Sequence, residues 1–334
     1  MRVSIVSDAW FPQVNGVVTT LSTVGKELVQ MGHQVQVVSP ERFKTIPCPT
    51  YPEIRLAVGA GRRLEPILDS AQASAIHIAT EGPLGLAARR YCLRRRLPFT
   101  TSFHTRFPEY LHARTRIPVG FTYCAVRWFH AAARRTMVAT QTLREELSRR
   151  GFQNLVPWYR GVDTDRFKPR DKSFLTFRRP IYLYVGRLAV EKNIRAFLDL
   201  KLEGTKLVVG DGPELDSLAA NYPDAQFARA KFGEELARYF AASDVFVFPS
   251  RTDTFGLVIL EALASGIPVA AYPVTGPKDV IGKSRAGVLS EDLGQAAIQC
   301  LKISPRVCRE YAQQFSWKAC AEAFVNHLEP IGHG

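Results

Sequence analysis

The chain has 334 residues, 46% hydrophobic and 22% charged, with 20 Phe, 11 Tyr and 4 Trp, which excludes a disordered or collagen-like polymer and leaves room for about two domains. Six cysteines, at 48, 92, 124, 300, 308 and 320, form no C-x-x-C pair, which argues against a zinc site or a disulfide framework and for reduced thiols. The net charge of +13 is one-sided: residues 1–170 hold 25 Lys and Arg against 12 Asp and Glu, and residues 171–334 hold 19 against 19.

The chain opens directly on a strand-like run, Met1 to Asp8, with no signal-peptide pattern and no apolar stretch of membrane-spanning length anywhere, so a cytoplasmic protein is expected. Leu21, Val24, Leu28 and Met31 recur at helical spacing, Gly32 closes that helix, and the β-branched run Val35–Val38 follows as a strand. Ile76–Ile78, Phe99–Ser102 and Met137–Ala139 repeat the pattern, predicting a parallel sheet covered on both faces. The polar, aperiodic segment Gly161–Lys172 is the best linker. Beyond it, strands at Ile181–Val185, Lys206–Val209, Val245–Phe248 and Pro268–Ala271 alternate with helical stretches near 192–200, 213–220, 233–242 and 255–265. The expectation is two doubly wound α/β domains in tandem.

The positive charge concentrates at residues 84–135, where eleven arginines meet one acid, Glu109. Such a field suits nucleic acid, an anionic membrane or an acidic small substrate, against the plain alternative of a solvated face. Aromatic residues interleave with the arginines, as in Arg127-Trp128-Phe129, a mixture that fits a lipid headgroup layer, single-stranded nucleic acid or simply core.

In parallel α/β sheets ligands bind beyond the carboxyl ends of strands, so the loops there carry the chemistry. Phe11–Val17 contains Asn15 and Gly16, where the glycine permits close backbone approach and the following helix offers N–H groups to an anion. Gly186–Asn193 places Arg187 and Lys192 five apart, a clamp for a diphosphate unless the cations merely pair with Glu191. In Pro249–Gly266, Asp253 precedes a helix start at Phe255, Gly256 and Leu257, and Glu261 lies four residues beyond Leu257. A phosphate at that helix end would have one carboxylate above it and another about one turn, roughly 5 Å, along the axis. That layout suits a nucleotide sugar, against the plainer alternative of an Asp helix cap and a solvated Glu, which Leu260 and Ala262 on either side of Glu261 make less fitting. The last loop, Ser102–Tyr110, carries His104, a residue that carries little weight alone.

Together these motifs resemble retaining nucleotide-sugar glycosyltransferases of family 4, and within them the branch that glycosylates membrane lipids. The likeness runs through P-Q-V-N-G at 12–16, T-E-G-P-L-G at 80–85, S-F-H-T at 102–105, R-G-V-D at 160–163, G-R-L-x-x-E-K-N at 186–193, G-D-G-P at 210–213 and T-D-T-F-G-L-V-I-L-E-A at 252–262. The resemblance implies a GT-B fold, two Rossmann-like domains facing each other across a cleft: 1–168 for the acceptor, 169–313 for the donor, and a last helix in 314–334 crossing back. It implies that Asn15 and Gly16 approach the donor, that His104 lies beside the transferred sugar, that Arg187 and Lys192 hold the diphosphate with Phe255, Gly256 and Leu257, and that Glu261 holds the ribose. Position 253 is Asp where the family usually has Glu, so its contact to the sugar is made with a shorter side chain.

The expected partners are a UDP- or GDP-hexose, an anionic membrane surface and a lipid acceptor such as diacylglycerol, with no nucleic acid, no cofactor and no essential metal. The rivals are a soluble transferase acting on a saccharide and a polyanion-binding protein on a degenerate transferase scaffold. An oxidoreductase is disfavoured because no G-x-G-x-x-G follows the first strand.

Overall fold

The computed structural model describes the chain except Val14, Pro49, Thr50, Lys283, His333 and Gly334, and the side chains of Tyr51, Pro52, Glu53 and Arg114. It divides into two compact units, Met1–Arg160 with Trp317 onward, and Gly161–Ser316. The division therefore falls earlier than the expected 168/169 boundary, and the return begins at Trp317 rather than 314.

In the first unit the strands are β1 (Arg2–Val6), β2 (Gln34–Val38), β3 (Thr45–Cys48), β4 (Tyr51–Ala57), β5 (Ala75–Ile78), β6 (Thr100–Phe103), β7 (Arg135–Val138) and β8 (Leu155–Pro157). Six of them form a parallel sheet in the order β2-β1-β5-β6-β7-β8, while β3 and β4 pair as a separate antiparallel hairpin that the periodicity does not predict. The helices are α1 (Gly16–Gln30), α2 (Ala60–Ala71), α3 (Pro83–Arg94), α4 (Phe107–Thr115), α5 (Val119–Ala131) and α6 (Gln141–Arg149), with the returning α14 (Trp317–His327). Helix α1 forms where the sequence predicts it: Leu21, Val24 and Leu28 are fully buried, and Gly32 takes φ +84° just beyond its end. Helix α14 joins the same core, where Phe324 meets Trp158 with ring centroids 5.0 Å apart and Trp158 Nε1 donates to the Cys320 carbonyl at 3.0 Å.

The second unit has β9 (Ile181–Val185), β10 (Thr205–Val209), β11 (Gln226–Ala228), β12 (Val245–Phe248), β13 (Val269–Ala271) and β14 (Gly287–Leu289), all parallel in the order β11-β10-β9-β12-β13-β14. Its helices are α7 (Arg195–Leu198), α8 (Leu215–Asn221), α9 (Gly233–Ala242), α10 (Leu257–Ala264), α11 (Pro277–Val280), α12 (Leu293–Cys300) and α13 (Pro305–Ala312). The helix expected near 192–200 is instead a 3₁₀ turn, Val190–Lys192, followed by the single-turn α7. Asn193 interrupts the two in a left-handed conformation, φ +53°, and spends its side-chain amide on the Pro249 carbonyl.

The segment 161–172, expected to be a linker, is packed into the second unit. Val162 and Phe167 are buried, Val162 N–H donates to the Phe315 carbonyl at 3.1 Å, and Arg309 donates to the carbonyls of Thr164, Phe167 and Ala264. Polarity and a proline were misleading because the carbonyls of this segment are satisfied by a distant guanidinium rather than by water.

In each sheet the chain starts in the interior, winds to one side and then to the other. The reversal falls between β1 and β5 in the first unit and between β9 and β12 in the second, so the loops after these strands flank the crevices where such sheets bind ligands.

Candidate functional site

In the second unit the two loops at the reversal are fastened to each other at three points. Lys192 Nζ donates to Asp253 Oδ1 at 2.5 Å, Asn193 Nδ2 to the Pro249 carbonyl at 3.0 Å, and Thr252 Oγ1 to the Glu191 carbonyl at 3.1 Å. Lys192 thus pairs with Asp253, a partner the sequence did not suggest. The other carboxylate oxygen, Asp253 Oδ2, is buried without a hydrogen-bond partner, an expensive arrangement unless a ligand supplies a donor. The Arg187 backbone is held by Tyr184, whose hydroxyl donates to its carbonyl at 2.9 Å.

Backbone approach explains several glycines. A Cβ on Gly210 would lie 1.9 Å from the Gly186 carbonyl oxygen, and one on Gly212 2.3 Å from that of Leu188. Leu188 N–H donates to Asp211 O and Glu214 N–H to Leu188 O, so the G-D-G-P loop forms a backing plate for the Arg187 loop. Gly276 does the same behind Asp253, where a Cβ would sit 3.2 Å from the Asp253 carbonyl oxygen and 3.1 Å from that of Phe255. Gly276 went unnoticed in the sequence because one glycine after a short strand carries no pattern.

Helix α10 begins after Gly256, which sits at φ +84° and gives the helix no side-chain cap. The N–H groups that open α10 therefore have no competing side chain of the kind that caps α1, and they carry the positive end of the helix dipole. One turn on, Glu261 is half-buried between fully buried Leu260 and Ala262. Withdrawal from water pushes its carboxyl up to about 7, weakly opposed by Arg166.

In the first unit the structure corrects one expectation. The side chain of Asn15 accepts from the N–H groups of both Val17 and Val18 at 3.0 Å. The start of α1 is therefore capped from within and has fewer donors to offer an anion than expected. Gly16 remains the first residue of that helix, and Val14, between Gln13 and Asn15, lies outside the described residues. His104 follows β6. Its Nδ1 faces Arg160 Nη2 at 3.4 Å, and since a guanidinium can only donate, the imidazole proton belongs on Nε2. Burial, reinforced by the Arg160 charge, holds the His104 pKa well below the ordinary range, so the ring is neutral at physiological pH. Arg160 itself stacks 4.1 Å over Trp158 and donates to the Trp158 carbonyl.

The basic segment 84–135 is less exposed as a field than its arithmetic suggests. Arg94 pairs with Glu65, Arg95 with Asp69, Arg106 with Glu146 and Glu109, and Arg135 with Glu329. Those acids lie mostly outside the segment and are brought to it by α2, α6 and the chain end. The outer face of α5 still exposes Phe121 by 75% and Trp128 by 57%, with the Arg89 guanidinium 3.8 Å over the Trp128 ring.

Among the described residues no helix is long and apolar enough to cross a membrane, and no three His, Cys, Asp or Glu side chains are grouped as metal ligands. Asn15, Gly16 and His104 belong to the first unit, and Arg187, Lys192, Asp253, Phe255, Gly256, Leu257 and Glu261 to the second.

Comparison with known proteins shows the family and the fold. A family model described as Glycosyltransferase Family 4 matches residues 14–166, and one described as Glycosyl transferases group 1 matches residues 179–303. The chain is 32% identical over 318 residues, 86% of it and 83% of the relative, to a GDP-mannose-dependent alpha-mannosyltransferase of Mycobacterium tuberculosis. It is 26% identical to an alpha-monoglucosyldiacylglycerol synthase of Streptococcus pneumoniae, over 97% of this chain and 83% of that one. The crystal structure of Anabaena HepE in complex with UDP-glucose superposes with a TM-score of 0.73 at 15% identity, covering 97% of this chain and 98% of that one.

Proposed function

The chain belongs to glycosyltransferase family 4, with the GT-B fold, and from that premise we propose that it transfers a hexose, with retention, from a UDP- or GDP-sugar to the hydroxyl of a membrane lipid such as diacylglycerol. The observation that supports the donor half is the three-point fastening of the loops after β9 and β12, which joins the loop carrying Arg187 and Lys192 to the Asp253 loop that leads into the uncapped start of α10.

In this reading Arg187, Lys192 and the α10 N–H groups neutralise the diphosphate as its bond to the sugar breaks. No essential metal and no cofactor are needed there. Glu261 accepts from the ribose diol, and Asp253 Oδ2 accepts from a sugar hydroxyl. His104, neutral with its proton on Nε2, donates to another sugar hydroxyl and so orients the ring without adding charge. None of these side chains serves as nucleophile. The acceptor oxygen attacks the face the phosphate leaves, and its proton passes to the departing phosphate oxygen.

For the acceptor half, the relative named a monoglucosyldiacylglycerol synthase and the exposed aromatic face of α5 support a lipid at the cytoplasmic face of the membrane. Phe121 and Trp128 enter the headgroup boundary while neighbouring arginines meet anionic lipid. Turnover of a panel of UDP- and GDP-sugars on mixed vesicles containing diacylglycerol tests the proposal. Transfer to soluble saccharides, with none to vesicle lipid, would replace the lipid acceptor by a saccharide.

A further inference from the structure

We propose that Glu81 receives the acceptor: its carboxylate accepts a hydrogen bond from the attacking hydroxyl of an alcohol or polyol and orients that oxygen, with His130 as its positioning residue. The inference rests on the transferase reading above and adds a residue for the acceptor side.

Glu81 lies in the loop after β5, beside the reversal point of the first sheet, where a ligand is expected. The loop is fixed from both sides. On one side the Asp8 carboxylate accepts from Leu84 N–H at 2.9 Å, Gly85 N–H at 3.2 Å and the Thr80 hydroxyl at 2.9 Å, which caps α3. A Cβ on Gly82 would lie 2.5 Å from Asp8 Cγ, so the loop has no slack. With α3 capped by Asp8, Glu81 is not needed for that purpose.

On the other side stands a fully buried imidazole. His130 Nε2 lies 3.1 Å from Glu81 Oε1, and His130 Nδ1 lies 2.9 Å from Thr101 Oγ1, itself 3.0 Å from Thr136 Oγ1. The carboxylate can only accept, so Nε2 donates, and Nδ1 and the two threonine hydroxyls continue the hydrogen-bond chain behind it across the buried sheet.

A contrast within the same sheet shows what is unusual. His77 is also buried, but both of its nitrogens end on internal hydroxyls, Thr100 and Ser102, and the group is closed within the core. The His130 chain instead ends on a side chain that remains 24% exposed. His130 occupies only one of the carboxylate's oxygens, which leaves Oε2 for a hydroxyl donor. A Gln would satisfy His130 equally well, whereas a carboxylate binds an alcohol more strongly than a neutral amide does.

The test uses the full chain with UDP-glucose and GDP-mannose as donors, and dioleoylglycerol in mixed vesicles or methyl α-glucoside in solution as acceptor. Glu81→Gln should lower kcat/KM for the acceptor at least tenfold, leaving nucleoside diphosphate affinity unchanged. His130→Gln should raise the acceptor KM severalfold, and the double variant should be no worse than Glu81→Gln alone, because His130 acts through Glu81. Whichever acceptor arm shows the loss identifies the lipid or the saccharide. The proposal is overturned if Glu81→Gln keeps acceptor kcat/KM within twofold, or if nucleotide affinity falls in parallel, which would assign the carboxylate to the donor. Wild-type protein that neither transfers nor hydrolyses any nucleotide sugar would instead remove the transferase reading beneath it.

Discussion

Removing the charge of Asp253 should tighten the binding of a nucleoside diphosphate. Lys192 and Asp253 lie 2.5 Å apart with only 21% and 17% of their side chains exposed, so the pair is largely shielded from water. Two unit charges about 4 Å apart attract by roughly 4 kcal/mol at an effective dielectric near 20, of which desolvation and lost side-chain freedom leave about 1–2 kcal/mol net. A diphosphate that recruits Lys192 must give up that amount. Asp253→Asn keeps the volume, releases Lys192 and takes a negative charge away from the phosphates. Affinity for UDP or GDP should therefore rise about 5–30-fold, while sugar transfer falls more than tenfold because the sugar loses a charged acceptor. Calorimetry on Asp253→Asn, Lys192→Ala and the double variant checks both directions. Lys192→Ala should weaken nucleotide binding, and in that background Asp253→Asn should change it little. Unchanged or weaker nucleotide binding in Asp253→Asn, with the fold intact, would refute the idea that the two ligands of Lys192 compete.

Glu261→Gln should weaken nucleotide-sugar binding and erase its pH dependence: with a pKa raised to about 7, the carboxylate that accepts from a diol forms as pH rises, so affinity should increase between pH 6 and 8. The same shift costs stability, absent near pH 4.5 and fully present above pH 7, so thermal stability of Glu261→Gln should gain on wild type as pH rises. Arg309→Met removes three charge-assisted bonds to Thr164, Phe167 and Ala264 and should cost about 2–3 kcal/mol, read calorimetrically as a Tm lower by about 5–10 °C; a shift below 2 °C would mean that water replaces the guanidinium. Phe121→Ser with Trp128→Ser, or Arg116→Glu with Arg127→Glu, should release the protein from anionic vesicles in cosedimentation at low salt without lowering nucleotide affinity, and retention of both variants would locate membrane contact elsewhere.

The donor half of the proposed site could be drawn from the sequence because its parts are local. Arg187 and Lys192 share one loop, and Asp253 and Glu261 flank one helix start, so spacing along the chain is close to spacing in the fold. What could not be read is whatever a second strand supplies. The Lys192–Asp253 pair joins residues 61 apart in sequence, and the three carbonyls held by Arg309 lie as far as 145 residues from it. Net charge misled for the same reason: Glu65, Asp69, Glu146 and Glu329 lie outside the window that counted the arginines they neutralise. The acceptor side is the extreme case. Glu81, His130, Thr101 and Thr136 come from a loop, a helix and two strands, and each alone is an ordinary residue in an ordinary place. Only the sheet order, which brings β5, β6 and β7 side by side, makes them a chain of hydrogen bonds. A phosphate can be held by one loop and one helix end, whose N–H groups are consecutive in sequence. Aiming a neutral hydroxyl takes an acceptor held from behind, and in a parallel sheet that support comes from neighbouring strands far apart in the chain.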